Sequence, residues 1–231
     1  MMTGPGVIQL MSLREQVYEH LRGSIEAGAL EPGTFLDQNR ISADLGISRT
    51  PLRDALLQLD LEGFVEVLPR RGVRVRKLTL DDIRHLYEII GALEGAALLS
   101  SGDALASREI ETLERLNRAM SAALDAADFD AYYALNLDFH GVFLSRSDNE
   151  ELKRTVRVCR QRLYDFPRER AFVPEWERRS IEEHAALIAL IQEQDLRAAA
   201  DFLRDVHWSF AIQMPFLLRY YHLDEPGGAL E

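Results

Sequence analysis

The chain has 231 residues, with 27 Lys and Arg against 38 Asp and Glu, and a formal net charge of −11. Its single cysteine excludes a disulfide framework, a zinc ribbon and a Cys-x-x-Cys redox centre, and fits a reducing compartment. No apolar run approaches the roughly 18 residues of a membrane span, and the opening residues lack the basic start and apolar core of a secretory signal; a cytoplasmic location is expected, with no membrane partner. At roughly 100–200 residues per domain, the length suits one large or two small domains.

The acidity is unevenly spread. Residues 1–77 carry ten Lys/Arg and ten Asp/Glu, so the remaining 17 and 28 place the whole excess of −11 on residues 78–231. Within the neutral part, 67–77 (VLPRRGVRVRK) hold five positive charges and no negative one. That asymmetry suits a segment that meets an anion beside a solvated body, and equally a solvated basic hairpin.

Leu13, Val17, Leu21 and Ile25 recur every four residues and predict an amphipathic helix that ends at the Gly/Pro turn 28–33. A short helix is expected over Gln38–Leu45, with Gly46 just past its end. Ser48 is a good N-cap for the next helix, and Pro51 falls in its first turn, where a missing N–H costs nothing. Leu52, Ala55, Leu56 and Leu59 form its buried stripe, and Gly63 stops it. Two β-type runs, 64–68 and 73–75, flank PRRG and predict a hairpin with a basic tip. Helix, helix, Gly turn, helix and hairpin make a winged helix-turn-helix over residues 8–77. Arg49 and Arg53 share a helix face offset from the leucine stripe. An Arg at the start of a recognition helix can make two hydrogen bonds to a guanine edge; ordinary helix-surface charge is the plainer alternative.

These residues carry a resemblance. The run Leu45-Gly46-Ile47-Ser48-Arg49-Thr50-Pro51-Leu52-Arg53-Asp54-Ala55-Leu56, then Leu59, Glu62-Gly63 and Arg71-Gly72, closely resembles the GntR family of bacterial transcription regulators, as does Gly28–Gly33 before it. The resemblance implies DNA contacts from Arg49, Thr50, Arg53 and Gly72, with Asn39, Arg40, Ser48 and Arg71 beside them on the same surface. One departure is visible: the family usually has an Arg where Asn39 stands.

From Thr79 the pattern is helical. TLDD (79–82) is a helix start, and breaks near 100–103, 126–128, 145–149, 165–169 and 193–195 leave about six helices and no convincing strand. An all-α antiparallel bundle over 78–223 is expected, followed by a frayed tail at 224–231. Asn136 lies one turn before His140, and His184 and His207 sit on later helices. Neutral imidazoles with one oxygen could hold a divalent transition metal, although a lone His on an apolar helix is usually a hydrogen-bonded core residue.

Residues 79–222 look like the all-helical (FCD-type) domain of the FadR-like branch of the same family. That resemblance implies a small-molecule effector, commonly an organic acid, and a metal set of Asn136, His140, His184 and His207, zinc or nickel being the expected ions. It departs twice. His207 falls one residue later than the family spacing, about 100° of helix, which the turn at Gln194 would have to absorb. The Arg that usually precedes Glu94 by four positions, where it can meet a ligand carboxylate, is Ile90. Trp208, Phe210, Met214 and Phe216 read as core. Cys159 stands among Arg157, Arg160 and Arg162, which would lower an exposed thiol's pKa; a buried inert thiol is the plainer reading.

The expectation is a mainly α, homodimeric repressor that binds a near-palindromic duplex operator and answers to an effector, and not an enzyme. A metal-dependent bundle enzyme of the di-iron kind would need Glu-x-x-His pairs, and Leu137, Ile181 and Arg204 stand in the Glu positions. A DNA-binding dimer without a ligand is the third reading.

Overall fold

The computed structural model describes residues 11–102, 105–164 and 173–221. The expected breaks at 165–169 and the tail at 224–231 lie outside the described residues, and the chain divides into two compact units at Leu78/Thr79.

The first unit is a winged helix-turn-helix. Helices α1 (Leu13–Glu26), α2 (Gln38–Asp44) and α3 (Arg49–Leu61) precede strands β1 (Val65–Leu68) and β2 (Gly72–Val75). Ser12 opens α1 with a capping box: its hydroxyl accepts the Glu15 N–H, and the Glu15 carboxylate accepts the Ser12 N–H. Val17, Leu21 and Ile25 from α1 meet Leu52, Ala55, Leu56 and Leu59 from α3, closed by Phe64, Val65, Val73 and Val75 from the wing. Full burial of such side chains stabilises by about 1.5–3 kcal/mol each, so this small unit rests on its leucine stripe. The turn between α2 and α3 needs Gly46, whose φ of +63° is left-handed. Ser48 occupies the N-cap of α3, but its hydroxyl makes no capping bond, contrary to the expectation from sequence. The strands pair antiparallel, Val65 opposite Val75 and Leu68 opposite Gly72. Residues 33–36 lie along the outer edge of β2 through Gly33 N–H to Val75 O and Leu36 N–H to Val73 O, both 2.8 Å.

The second unit is an all-α bundle: α4 (Leu80–Ser101), α5 (Ser107–Asp125), α6 (Phe129–Leu144), α7 (Glu150–Tyr164), α8 (Pro174–Gln192), α9 (Leu196–Phe202) and α10 (Phe210–Tyr220). Thr79 and Asp82 form the capping box of α4. The turns at Ala127 and Gln194 share one design. Each of these residues takes a left-handed φ, 54° and 60°, and the Asp that follows caps the next helix. Helix α5 packs on α6 and α8, and α4 on α9.

The last predicted helix is broken. Residues Leu203–His207 form a π turn, and α10 restarts after Trp208 and Ser209. A π turn holds one residue more than an α turn. Gly91 lets this segment lie against α4: a Cβ there would stand 2.9 Å from Trp208 Cβ and 3.3 Å from Arg204 Cα. Among the large apolar side chains expected as core, Trp208 is buried, whereas Met214 is 38% exposed.

Candidate functional sites

The helix-turn-helix presents one polar surface. Arg49 is the first residue of α3, and Ser48, Arg49, Thr50 and Arg53 are all exposed. Asp37 caps α2 by accepting the N–H groups of Asn39 and Arg40. The Arg49 Nη2 donates to Asn39 Oδ1 at 2.9 Å, and Arg40 lies 3.5 Å from Asp44. At the wing, Arg71 sits over the Phe35 ring at 5.9 Å and is exposed; Gly72 takes a φ of 107°. Arg74, a further wing arginine, pairs with Glu66 across the hairpin at 2.8 Å, and that guanidinium holds the Glu66 carboxyl below the usual range.

The bundle interior gathers a polar centre. His140 comes from α6, His184 from α8 and His207 from the end of the π turn, and their nearest ligand atoms lie within 4.8 Å of one another. Ring centroids are 4.9–5.2 Å apart, and Phe139 stacks on His184 at 3.9 Å. His207 closes the π turn Leu203–His207, which holds one residue more than an α turn. The added rotation is spent inside Leu203–His207, and the imidazole arrives beside the other two.

Two carboxylates orient two of the rings. Glu94, fully buried, accepts from His140 Nδ1 at 2.8 Å and Trp208 Nε1 at 2.9 Å, and pairs with Arg160 from α7. Burial raises the Glu94 carboxyl, but Arg160 and His140 outweigh it and hold the group at about 2. An ionised carboxylate only accepts, so His140 carries its proton on Nδ1 and keeps a lone pair on Nε2. Glu183 accepts from His207 Nδ1 at 2.9 Å, and Arg179 Nε and Gln213 Nε2 hold it in place. Burial opposes the charge of Glu183, and the His207 hydrogen bond leads the effects that keep its pKa low. Burial drives His140 down to about 4 despite Glu94, and takes His184 well below its ordinary value. Both are therefore neutral near pH 7.

Several polar atoms here are buried without a hydrogen-bond partner: Asn136 Oδ1, His140 Nε2, both nitrogens of His184 and Arg160 Nε. Buried polar groups are paired in the great majority of cases, so such a concentration is unusual for a protein interior. Cys159, by contrast, is buried, and burial pushes its thiol up against the smaller effect of Arg162. The inert reading holds.

Comparison with known proteins fits both units. Residues 13–75 match "Bacterial regulatory proteins, gntR family" and residues 85–207 match the FCD domain. The chain belongs to the GntR family of bacterial regulatory proteins. It is 30% identical over 176 residues to the Nta operon transcriptional regulator of Aminobacter aminovorans, covering 74% of this chain and 80% of that one. It is 26% identical over 160 residues to the HTH-type transcriptional repressor RspR of Escherichia coli K12, covering 66% and 70%. The fold is also that of E. coli McbR/YncC, with a TM-score of 0.63 over 93% of this chain and all of that chain at 24% identity. Among the described residues, no helix is long and apolar enough to cross a membrane.

Two parts of this GntR-family centre escaped the sequence reading. Arg160, read from sequence only as a neighbour of Cys159, pairs with Glu94. Trp208, expected as plain core, donates its indole N–H to the same carboxylate. The signal for Arg160 was present: it shares a helix with the buried Leu152, Val156, Cys159 and Leu163, and a charge on that face demands a partner.

Proposed function

We propose that this GntR-family chain works in the cytoplasm as a homodimeric, effector-responsive repressor of a near-palindromic operator. Arg49, Thr50 and Arg53 face the major groove. Arg40, Ser48, Arg71 and Gly72 form the flanking contacts to backbone and minor groove, and Asn39 belongs to the same DNA-binding surface. The exposure of the first turn of α3 supports this, because the N-terminal end of a recognition helix is the part that reads base edges. That RspR is named a repressor supports the direction of control.

In the helical domain, Asn136, His140, His184 and His207 are the residues that would hold a divalent zinc or nickel ion. The observation that carries this is the cluster of unpartnered buried acceptors beside three imidazoles, two of them fixed by carboxylates as metal-ligating histidines are. A bound ion supplies a positive, electron-accepting partner for a ligand carboxylate. Arg160, whose Nε–H is unpaired, is a second partner for an organic acid. Such an effector favours whichever arrangement of the protein binds it better, and operator affinity follows.

Dimerisation is supported by α4. His85, Ile89, Ala92, Ala96 and Leu99 lie on it at alternating spacings of four and three, all exposed. That is the spacing of a helix-pairing seam, with small residues at its middle.

The test is elemental analysis of protein purified from metal-replete medium, beside His140→Ala and His184→Ala. Near-stoichiometric metal in the wild type and loss in both variants is expected. A folded wild type with no metal would defeat the metal reading. Operator binding, measured on sites selected from a random duplex library, is tested separately with and without organic acids.

A further inference from the structure

The Asn39 side chain is exposed, yet its amide oxygen is engaged. The residue sits in the first turn of α2, with its backbone N–H held by the Asp37 cap, and its Oδ1 accepts from Arg49 Nη2 at 2.9 Å. Both side chains are exposed, so burial does not force this contact. It joins the supporting helix to the first residue of the recognition helix across the Gly46 turn. Arg40, next to Asn39, is paired with a carboxylate, Asp44.

We propose that Asn39 is a positioning residue that pre-orders the Arg49 guanidinium for base reading. An Arg side chain loses much rotamer freedom when it is fixed, and a partner that fixes it beforehand removes that cost from binding. A carboxylate at this place would also fix it, but would cancel the charge that DNA must meet. A second Arg would repel it. A neutral amide acceptor takes one N–H and leaves the positive charge and the other donors of the guanidinium for a guanine edge, which needs two parallel N–H groups. On this account Asn39 contributes to specificity through Arg49 and touches no base. The proposal rests on Arg49 reading a base pair.

The experiment is a double-mutant cycle on the full chain. Sites are selected from a randomised duplex library, and affinities are measured by fluorescence anisotropy on the best site and on its single-base variants. Arg49→Ala is expected to weaken the best site by about 5- to 150-fold. Asn39→Ala is expected to weaken it by about three- to tenfold and to relax preference at the same base pair. In the Arg49→Ala background, Asn39→Ala is expected to change nothing. Asn39→Asp keeps the acceptor, so it retains the base preference while lowering affinity evenly across sites. The melting temperature should match wild type in every variant, which separates positioning from a role in folding. Independent, multiplicative losses from Asn39→Ala and Arg49→Ala, or an even loss from Asn39→Ala across all sites, would overturn the proposal in favour of a direct phosphate contact. No effect of Arg49→Ala on its own would overturn the reading of Arg49 itself.

Discussion

Replacing Arg160 by Met isolates the electrostatics of the bundle interior. Glu94 is fully buried, and Arg160 is the largest of the effects that together outweigh its burial. A carboxyl held at about 2 instead of the ordinary 4.5 contributes about 3 kcal/mol at neutral pH, at 1.36 kcal/mol per unit. Because the folded value is the lower one, this contribution is present above pH 4.5 and is lost as pH falls from there towards 2. Removing Arg160 leaves a buried anion with only His140 and Trp208 as donors, a change that costs about 3–5 kcal/mol. Burial then dominates, and the Glu94 carboxyl moves above its unfolded value. The sign of the pH dependence reverses: the single variant gains stability as pH is lowered from 7 towards 4.5. Urea unfolding followed by tryptophan fluorescence measures this, because Trp176 and Trp208 both lie in the helical domain. The reference is the double variant Arg160→Met/Glu94→Gln, which has the same imidazoles and no carboxyl at position 94, so that any contribution from the histidines cancels. The single variant is expected to be the less stable of the two at pH 7, and the gap should close on acidification. A single variant within 1 kcal/mol of wild type, or a gap that does not change with pH, would refute the assignment.

Gly91→Ala should cost about 1–3 kcal/mol in the same assay, because its Cβ would meet Trp208 Cβ at 2.9 Å and the Arg204 backbone at 3.3 Å; a neutral result would mean that α4 and the π turn are not held this close. Deleting Asp205, an exposed residue of the π turn, should leave an ordinary α-helical run with His207 still facing His140 and His184, so metal content should survive the deletion; its loss would show that the π turn does more than absorb one residue. Ile89→Asp should convert the protein to monomers by light scattering coupled to size exclusion, and an unchanged mass would remove the α4 face from the dimer.

How much was legible in the sequence depends on the range of the interactions. The helix-turn-helix is written locally. Gly46 fixes the turn, Pro51 the first turn of α3 and the leucine stripe its buried face, each through neighbours within one or two turns. Thr79 and Asp82 announce α4 in the same way. The hairpin was equally plain, and its register explains why Arg74, opposite Glu66, is engaged with that carboxylate. What stayed hidden is long-range. The π turn has no composition of its own; it lies where its backbone meets α4 at Gly91. Arg160 finds Glu94 across 66 positions. The Ser48 hydroxyl makes no capping bond, although its residue type favours one.

The two departures from the family pattern illustrate why position is the weaker guide at such a centre. Read along the chain, Ile90 removes a guanidinium and the late His207 removes an imidazole. Physically, what a buried Glu94 requires is one nearby positive charge, whatever helix bears it, since an uncompensated anion in the core costs several kcal/mol. Arg160 on α7 meets that requirement as well as a residue on α4 would, and leaves Ile90 free to be fully buried as core. The imidazole requires an angle about the helix axis, and one residue held in a π turn restores it. Both compensations follow from demands that the rest of the site imposes: the charge of Glu94 and the lone pairs of His140 and His184. A lost motif residue therefore argues against a site only after the unpaired charge it leaves behind has been traced and found to have no other partner.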